Sequence, residues 1–201
     1  MGAVYVALVH HPVRNKTGEI VTTAITNFDV HDIARSARTY DLAGYFVITP
    51  IEAQHVLLGR ILAHWGKDGA GTKRVPPRAE ALSIVEPARS IEEVVATLRD
   101  RHGRAPRVVA TAARSTGITL RSFADEAHAI ASTDAPTLLL FGTGHGLTEA
   151  VLEGADALLL PVRPGGYNHL SVRAAVAIIL DRLFGDHRFH SGAVDGSEGG
   201  C

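Results

Sequence analysis

The sequence predicts an α/β fold: a mostly parallel sheet with helices on both faces. Three observations lead there. Short apolar runs alternate with helical patterns nearly from end to end. The runs are almost continuously apolar, as strands covered on both faces require. Glycine clusters follow directly after predicted strands, where open α/β sheets bind their ligands.

The predicted strands are Tyr5–Val9, Tyr45–Thr49, Leu82–Val85, Arg107–Thr111, Thr137–Phe141 and Ala157–Leu160. The helices between them carry start signals. Thr49-Pro50-Ile51-Glu52 offers a capping box with proline at the first helical position. After it, Ile51, His55, Leu58, Leu62 and Trp65 recur at helical spacing and predict one buried stripe. Ser90-Ile91-Glu92-Glu93 repeats the capping logic, and that helix should stop near Gly103. Ser122 to Ala131 makes a short helix, and a last one runs from about Leu170 to Phe184. Ala174, Ala177, Ile178 and Leu180 make that helix apolar on several sides, so it should be central or pressed against a second subunit. Lys67 to Pro77, rich in Gly, Lys and Pro, predicts a mobile loop.

With 201 residues, 46% of them hydrophobic, the chain can bury one substantial core. One domain is expected over residues 1–188, followed by a disordered tail over 189–201. The longest apolar run, Ala174 to Leu180, is far too short to cross a bilayer. No signal-peptide layout precedes Tyr5–Val9, and the sole cysteine, Cys201, excludes an internal disulfide. A cytoplasmic protein without membrane contact is expected. The net charge of −1 does not announce a polyanion binder, but two local basic strips stand out. One holds Arg60, His64, Lys67, Lys73, Arg74 and Arg78, and the other Arg99, Arg101, Arg104 and Arg107. Either strip also suits an ordinary solvated surface.

Several chemistries fail on position. A dinucleotide fingerprint should open the first strand–turn–helix unit, whereas the glycines here cluster late. Gly66-Lys67-Asp68-Gly69-Ala70-Gly71-Thr72-Lys73 has Thr and Lys in the wrong order for a phosphate loop. His10-His11 and His187/His190 lack a carboxylate or thiol at ligand spacing, so no metal is expected and surface or capping roles are favoured.

The two late loops and the last helix resemble the SPOUT superfamily of RNA methyltransferases. The residues that carry the resemblance are Leu140-Phe141-Gly142…Gly146-Leu147, Leu160-Pro161…Asn168-His169-Leu170-Ser171-Val172, and Ala174 to Leu180. His31 to Gly44 is similar to the family's first helix, with its arginine–threonine pair Arg38-Thr39. The resemblance covers the chain to about Gly185. It implies a deep trefoil knot in the C-terminal part, a homodimer, and a tRNA or rRNA substrate. It also implies S-adenosylmethionine as cofactor, with S-adenosylhomocysteine as product.

By the same resemblance, the cofactor would lie among three loops. These contribute Thr111, Ala112 and Arg114; then Phe141, Gly142, Thr143, Gly144 and Gly146; then Leu160, Pro161, Gly165, Gly166, Asn168, Leu170 and Ser171. The sulfonium methyl is already electrophilic, so the protein must mainly align a nucleophile with it. Arg38 matches the family's functional arginine, with Arg35 one turn away, and Asn27 and Asp32 in the loop before that helix complete the catalytic candidates. Each has a plainer reading: Arg38 as a surface arginine paired with Asp41 or Glu52, Asn27 in a turn, and Asp29 and Asp32 as helix caps. Lys67, Lys73, Arg74 and Arg78 are the RNA-binding candidates. Glutamate, frequent in the Phe-Gly loop of ribose methylators, is replaced here by Thr143, Gly144 and His145, and Asn168-His169 resembles the guanine-N1 branch. Ribose 2′-oxygen and guanine N1 therefore both stand as acceptors. The competing readings are a non-catalytic knotted cofactor- or RNA-binding module and an ordinary nucleotide-binding α/β enzyme.

Overall fold

The computed structural model describes residues 1–66, 69–112, 119–163 and 165–185. Nine strands are present: β1 (Val4–Val9), β2 (Val13–Arg14), β3 (Ile20–Val21), β4 (Gly44–Ile48), β5 (Val85–Ala88), β6 (Arg107–Thr111), β7 (Leu120–Arg121), β8 (Thr137–Gly142) and β9 (Ala157–Leu159) among the described residues. The helices there are α1 (Asn27–Thr39), α2 (Glu52–Trp65), α3 (Ala70–Arg74), α4 (Pro76–Leu82), α5 (Ile91–His102), α6 (Phe123–Ala131), α7 (Glu149–Glu153) and α8 (Val172–Phe184). Seven strands form one sheet in the order β5-β4-β1-β8-β6-β9-β7, and every pairing in it is parallel.

Every residue of β1 is buried, because the sheet is covered on both faces. Val4, Val6 and Leu8 join Tyr45, Val47, Leu139 and Leu159 beneath α1, α2, α4, α6 and α8. Tyr5, Ala7 and Val9 join Phe46, Ile48, Leu138 and Leu158 beneath α5 and α7. Val176, Ile179, Leu180 and Leu183 of α8 sink into the first layer, while Ala174, Ala177 and Ile178 on its other sides are only half-buried. Among the described residues, no helix is long and apolar enough to cross a membrane.

Four expectations need correction. Leu82 ends α4, and the strand begins only at Val85, because Pro76 and Pro77 start a helix that buries Ala79, Ala81 and Leu82. The described part of Lys67 to Pro77 holds α3 and the first turn of α4 with Gly69 and Val75 outside them, and is held where Thr72 Oγ1 donates to the carbonyls of Trp65 and Gly66 at 2.8 and 2.6 Å. No capping box opens α2: its N-cap is Ile51, and Glu52 pairs instead with Arg89. The buried stripe of α2 shrinks to Leu58, with Ile61, Leu62 and Trp65 half-buried against the core and Ile51 exposed. The tail 189–201 lies outside the described residues.

Candidate active site

The sheet order reverses between β1 and β8, so the carboxyl ends of these neighbours bracket the crevice where such folds place ligands. The loop after β8 is built from several directions. Thr143 N–H donates to the Val9 carbonyl, and the N–H of His145 to that of Arg14. Arg14 N–H in turn donates to Gly146 O, so the β2–β3 hairpin, invisible in the sequence pattern, braces this loop. Gly142 lies so close that a Cβ there would meet Leu147 N at 2.6 Å and Gly146 C at 2.9 Å.

A part-buried hydroxyl chain adds a further brace. Thr143 Oγ1 donates to the Val9 carbonyl at 3.0 Å. Its single proton thus committed, it accepts from Thr23 Oγ1 at 2.5 Å, which leaves Thr23 to accept from His10 Nδ1 at 2.8 Å. His10 therefore carries its proton on Nδ1, and its buried Nε2 has no partner among the described residues. This histidine is fully buried rather than a surface or capping group. Burial pushes it down to about 4, with the charge of Asp29 working the other way.

The loop after β9 is held differently. Pro161 is buried, Leu160 N–H donates to Arg121 O, and Arg182 of α8 donates to Val162 O at 2.8 Å. Beyond these, Gly165, Gly166 and Tyr167 are exposed, and a Cβ on Gly165 would touch nothing within 4 Å. Asn168 is half-buried and Leu170 exposed. Ser171 caps α8, accepting from Ala174 N–H at 3.4 Å. In the loop after β6, Thr111 donates to Leu140 O at 2.9 Å and Ala112 is half-buried. Arg114 lies outside the described residues. The ring of Phe141 is in the core, so only its backbone faces the site.

The segment before α1 reaches this end of the sheet through Thr23. Asn27, Asp29 and Asp32 belong to the first two turns of α1, not to a preceding loop, because Thr26 is the cap: it accepts from Asp29 N–H and donates to Asp29 Oδ2 at 2.6 Å. Arg173 of α8 lies 3.4 Å from both Asp29 and Asp32 and ties the last helix to the first. Sequence reasoning missed Arg173, although an arginine in the first turn of a mostly apolar helix was a signal for it. Arg38 is not brought together with Asn27 and Asp32. It occupies the far end of α1, about 16 Å along the axis from Asn27 and about 9 Å from Asp32, and bonds Glu80 of α4 at 2.7 Å rather than Asp41 or Glu52. Arg35 is exposed, one turn nearer.

Beside α1, a groove of about 590 Å³ is lined by Asn27, Phe28, His31, Asp32, Arg60, Ile61, His64, Trp65 and Arg78. It gathers part of the first basic strip next to two catalytic candidates. Lys73 and Arg74 are exposed on α3, and Lys67 lies outside the described residues. Two arginines of the second strip are paired: Arg101 grips Glu86 with two bonds of 3.0 Å, and Arg107 grips the buried Glu126 at 2.8 and 3.0 Å.

A family model described as SAM-dependent RNA methyltransferase matches residues 3–185. The chain belongs to this family. A curated relative from Oleidesulfovibrio alaskensis, named tRNA (guanine-N(1)-)-methyltransferase, is 46% identical, the match taking in 90% of this chain and 42% of the relative. The chain thus spans less than half the length of that relative. An uncharacterized protein from Aquifex aeolicus is 39% identical over 92% of this chain and 90% of its own length. Among solved structures, the A. aeolicus TrmH/SpoU tRNA modifying enzyme is similar with TM-score 0.53 and 14% identity, over 94% of this chain and 76% of that one. The resemblance to SPOUT methyltransferases read from the late loops is borne out.

S-adenosylmethionine is the cofactor of this methyltransferase family. The residues present suit a flat, close-lying ligand. A Cβ at Gly146 or Gly165 would meet nothing within 4 Å, so these loops leave room for a close approach, and Gly144, Gly146 and Gly166 take positive φ of 61°, 100° and 72°, which an L side chain rarely adopts.

Proposed function

We propose that this chain transfers the methyl group of S-adenosylmethionine to tRNA. The observation that carries the reading is the family match over residues 3–185, joined to glycine loops at the carboxyl edge of a parallel sheet. The tRNA substrate is supported by the name of the Oleidesulfovibrio relative, of which more than half lies outside the matched part. Bound, the cofactor supplies an electrophilic methyl. The backbone of 142–147 and 160–171, with Thr111, Ala112 and Arg114, would hold it, and Asn27 and Asp32 at the start of α1 would orient the acceptor. Arg35 is better positioned than Arg38 to meet a phosphate, since Arg38 is engaged by Glu80. Lys67, Lys73, Arg74 and Arg78 would grip the RNA backbone.

Residues 1–188 are read as one domain with a C-terminal trefoil knot, supported by the SpoU-type fold likeness and by the central placement of β8 and β6 in the sheet. A cytoplasmic homodimer is the proposed assembly. The exposed Leu160, Tyr167 and Leu170 would be covered by the second copy.

The test is incubation of the purified protein and methyl-labelled cofactor with unmodified tRNA, followed by nucleoside mass spectrometry. Label in tRNA supports the reading, and its position distinguishes ribose 2′-oxygen from guanine N1. Cofactor binding without label in any RNA pool would replace it with the non-catalytic module.

A further inference from the structure

The groove between α1, α2 and α4 has the composition of a nucleotide slot rather than of an ordinary surface cleft. Trp65 is its centre and is fixed on several sides. His31 and His64 meet its ring edge-on at 5.6 and 5.2 Å, and the Arg78 guanidinium lies over it at 5.3 Å. Gly71 leaves room for the indole from behind, since a Cβ there would be 2.7 Å from its Cε3. At the rim stands Phe28, 70% exposed, with Arg173 at 5.8 Å from its ring.

Charge points the same way. The one carboxylate lining the groove, Asp32, is paired with Arg173. Arg60 and Arg78 have no carboxylate partner among the described residues, in contrast to Arg14, Arg38, Arg89, Arg101, Arg107 and Arg121. His31 is held below its ordinary value first by burial and then by the Arg78 charge, with Asp32 working the other way. The exposed Lys73 and Arg74 continue the cationic surface beyond Arg78.

We propose that this groove binds one unpaired nucleotide of the RNA, its base against the Trp65–Arg78 stack and its phosphate toward Arg60. Aromatic rings and arginine planes stack splayed bases, whereas a duplex keeps its bases from them. The slot rests on the RNA-methyltransferase reading and assigns to the RNA a contact that lies beside the start of α1, away from the glycine loops.

Trp65 is the only tryptophan, so its fluorescence reports this groove alone. A dye-labelled single-stranded hexanucleotide RNA would be titrated by anisotropy, and its unlabelled twin by tryptophan quenching, at fixed low salt. The expected result is saturable quenching with the affinity seen by anisotropy. Arg60→Gln with Arg78→Gln should weaken binding at least tenfold and flatten the salt slope by about 0.7, the share of the one phosphate contact assigned to Arg60 on a single strand. Arg60→Gln alone, at an exposed position, should weaken it severalfold without disturbing the fold. RNA binding with no quenching and no response to either variant would overturn the slot while leaving the methyltransferase reading intact. Equal affinity for a duplex of the same length would overturn the unpaired-nucleotide assignment. No RNA binding in anisotropy would count against the RNA reading itself.

Discussion

The loops after β8 and β9 leave the same edge of the sheet, separated by β6, yet they are held very differently. The first is clamped by backbone bonds to β1 and the hairpin, by the His10–Thr23–Thr143 chain, and by Gly142 pressed against Leu147. The second is anchored at its ends by Arg121, Arg182 and the Ser171 cap, while its middle exposes Gly165, Gly166 and Tyr167. One wall of the site is thus prebuilt. The middle of the other, over Gly165, Gly166 and Tyr167, stands exposed.

The largest effect that would break this contrast lies at Gly142. Replacing it with Val forces a Cβ into the backbone at 2.6 Å, so calorimetry should find cofactor affinity down more than about a hundredfold and denaturation a loss of about 3 kcal/mol. Next comes acid. The folded His10 sits near 4 against an ordinary 6.5, so the unfolded chain binds its proton first as pH falls. The contribution, about 3 kcal/mol at most, is complete above pH 6.5 and is lost between there and pH 4. Urea midpoints at pH 7 and pH 4.5 should diverge more in the wild type than in His10→Gln, and equal divergence would remove His10 from the brace. Thr143→Val keeps the shape but cuts the hydroxyl chain, and it should lower stability by about 1–2 kcal/mol. Smallest is Tyr167→Ala in the second loop. At 80% exposure it should shift stability by less than about 0.5 kcal/mol, and a loss above 1 kcal/mol would mean this loop is braced like the first.

Much of the frame was legible because it rests on local chemistry. Buried parallel strands read as apolar runs, and Ser90 and Ser122 cap the helices they were expected to open. The braces were not legible, since they join residues far apart: His10 to Thr23 to Thr143, or Arg173 to Asp29 and Asp32. Two-residue strands such as β2 and β3 carry no periodicity to detect. Gly, Lys and Pro in 67–77 suggested a loop, but proline at a helix start favours the short α4. The two basic strips looked alike in sequence. Only spatial pairing separates them, with Glu86 and Glu126 engaging Arg101 and Arg107 of the second.

The most direct measurement is a calorimetric titration of the purified protein with S-adenosylmethionine and S-adenosylhomocysteine, beside the Gly142→Val variant. Saturable binding of both to the wild type, lost in the variant, is the predicted result. A folded wild type that binds neither would contradict the cofactor site placed at these loops.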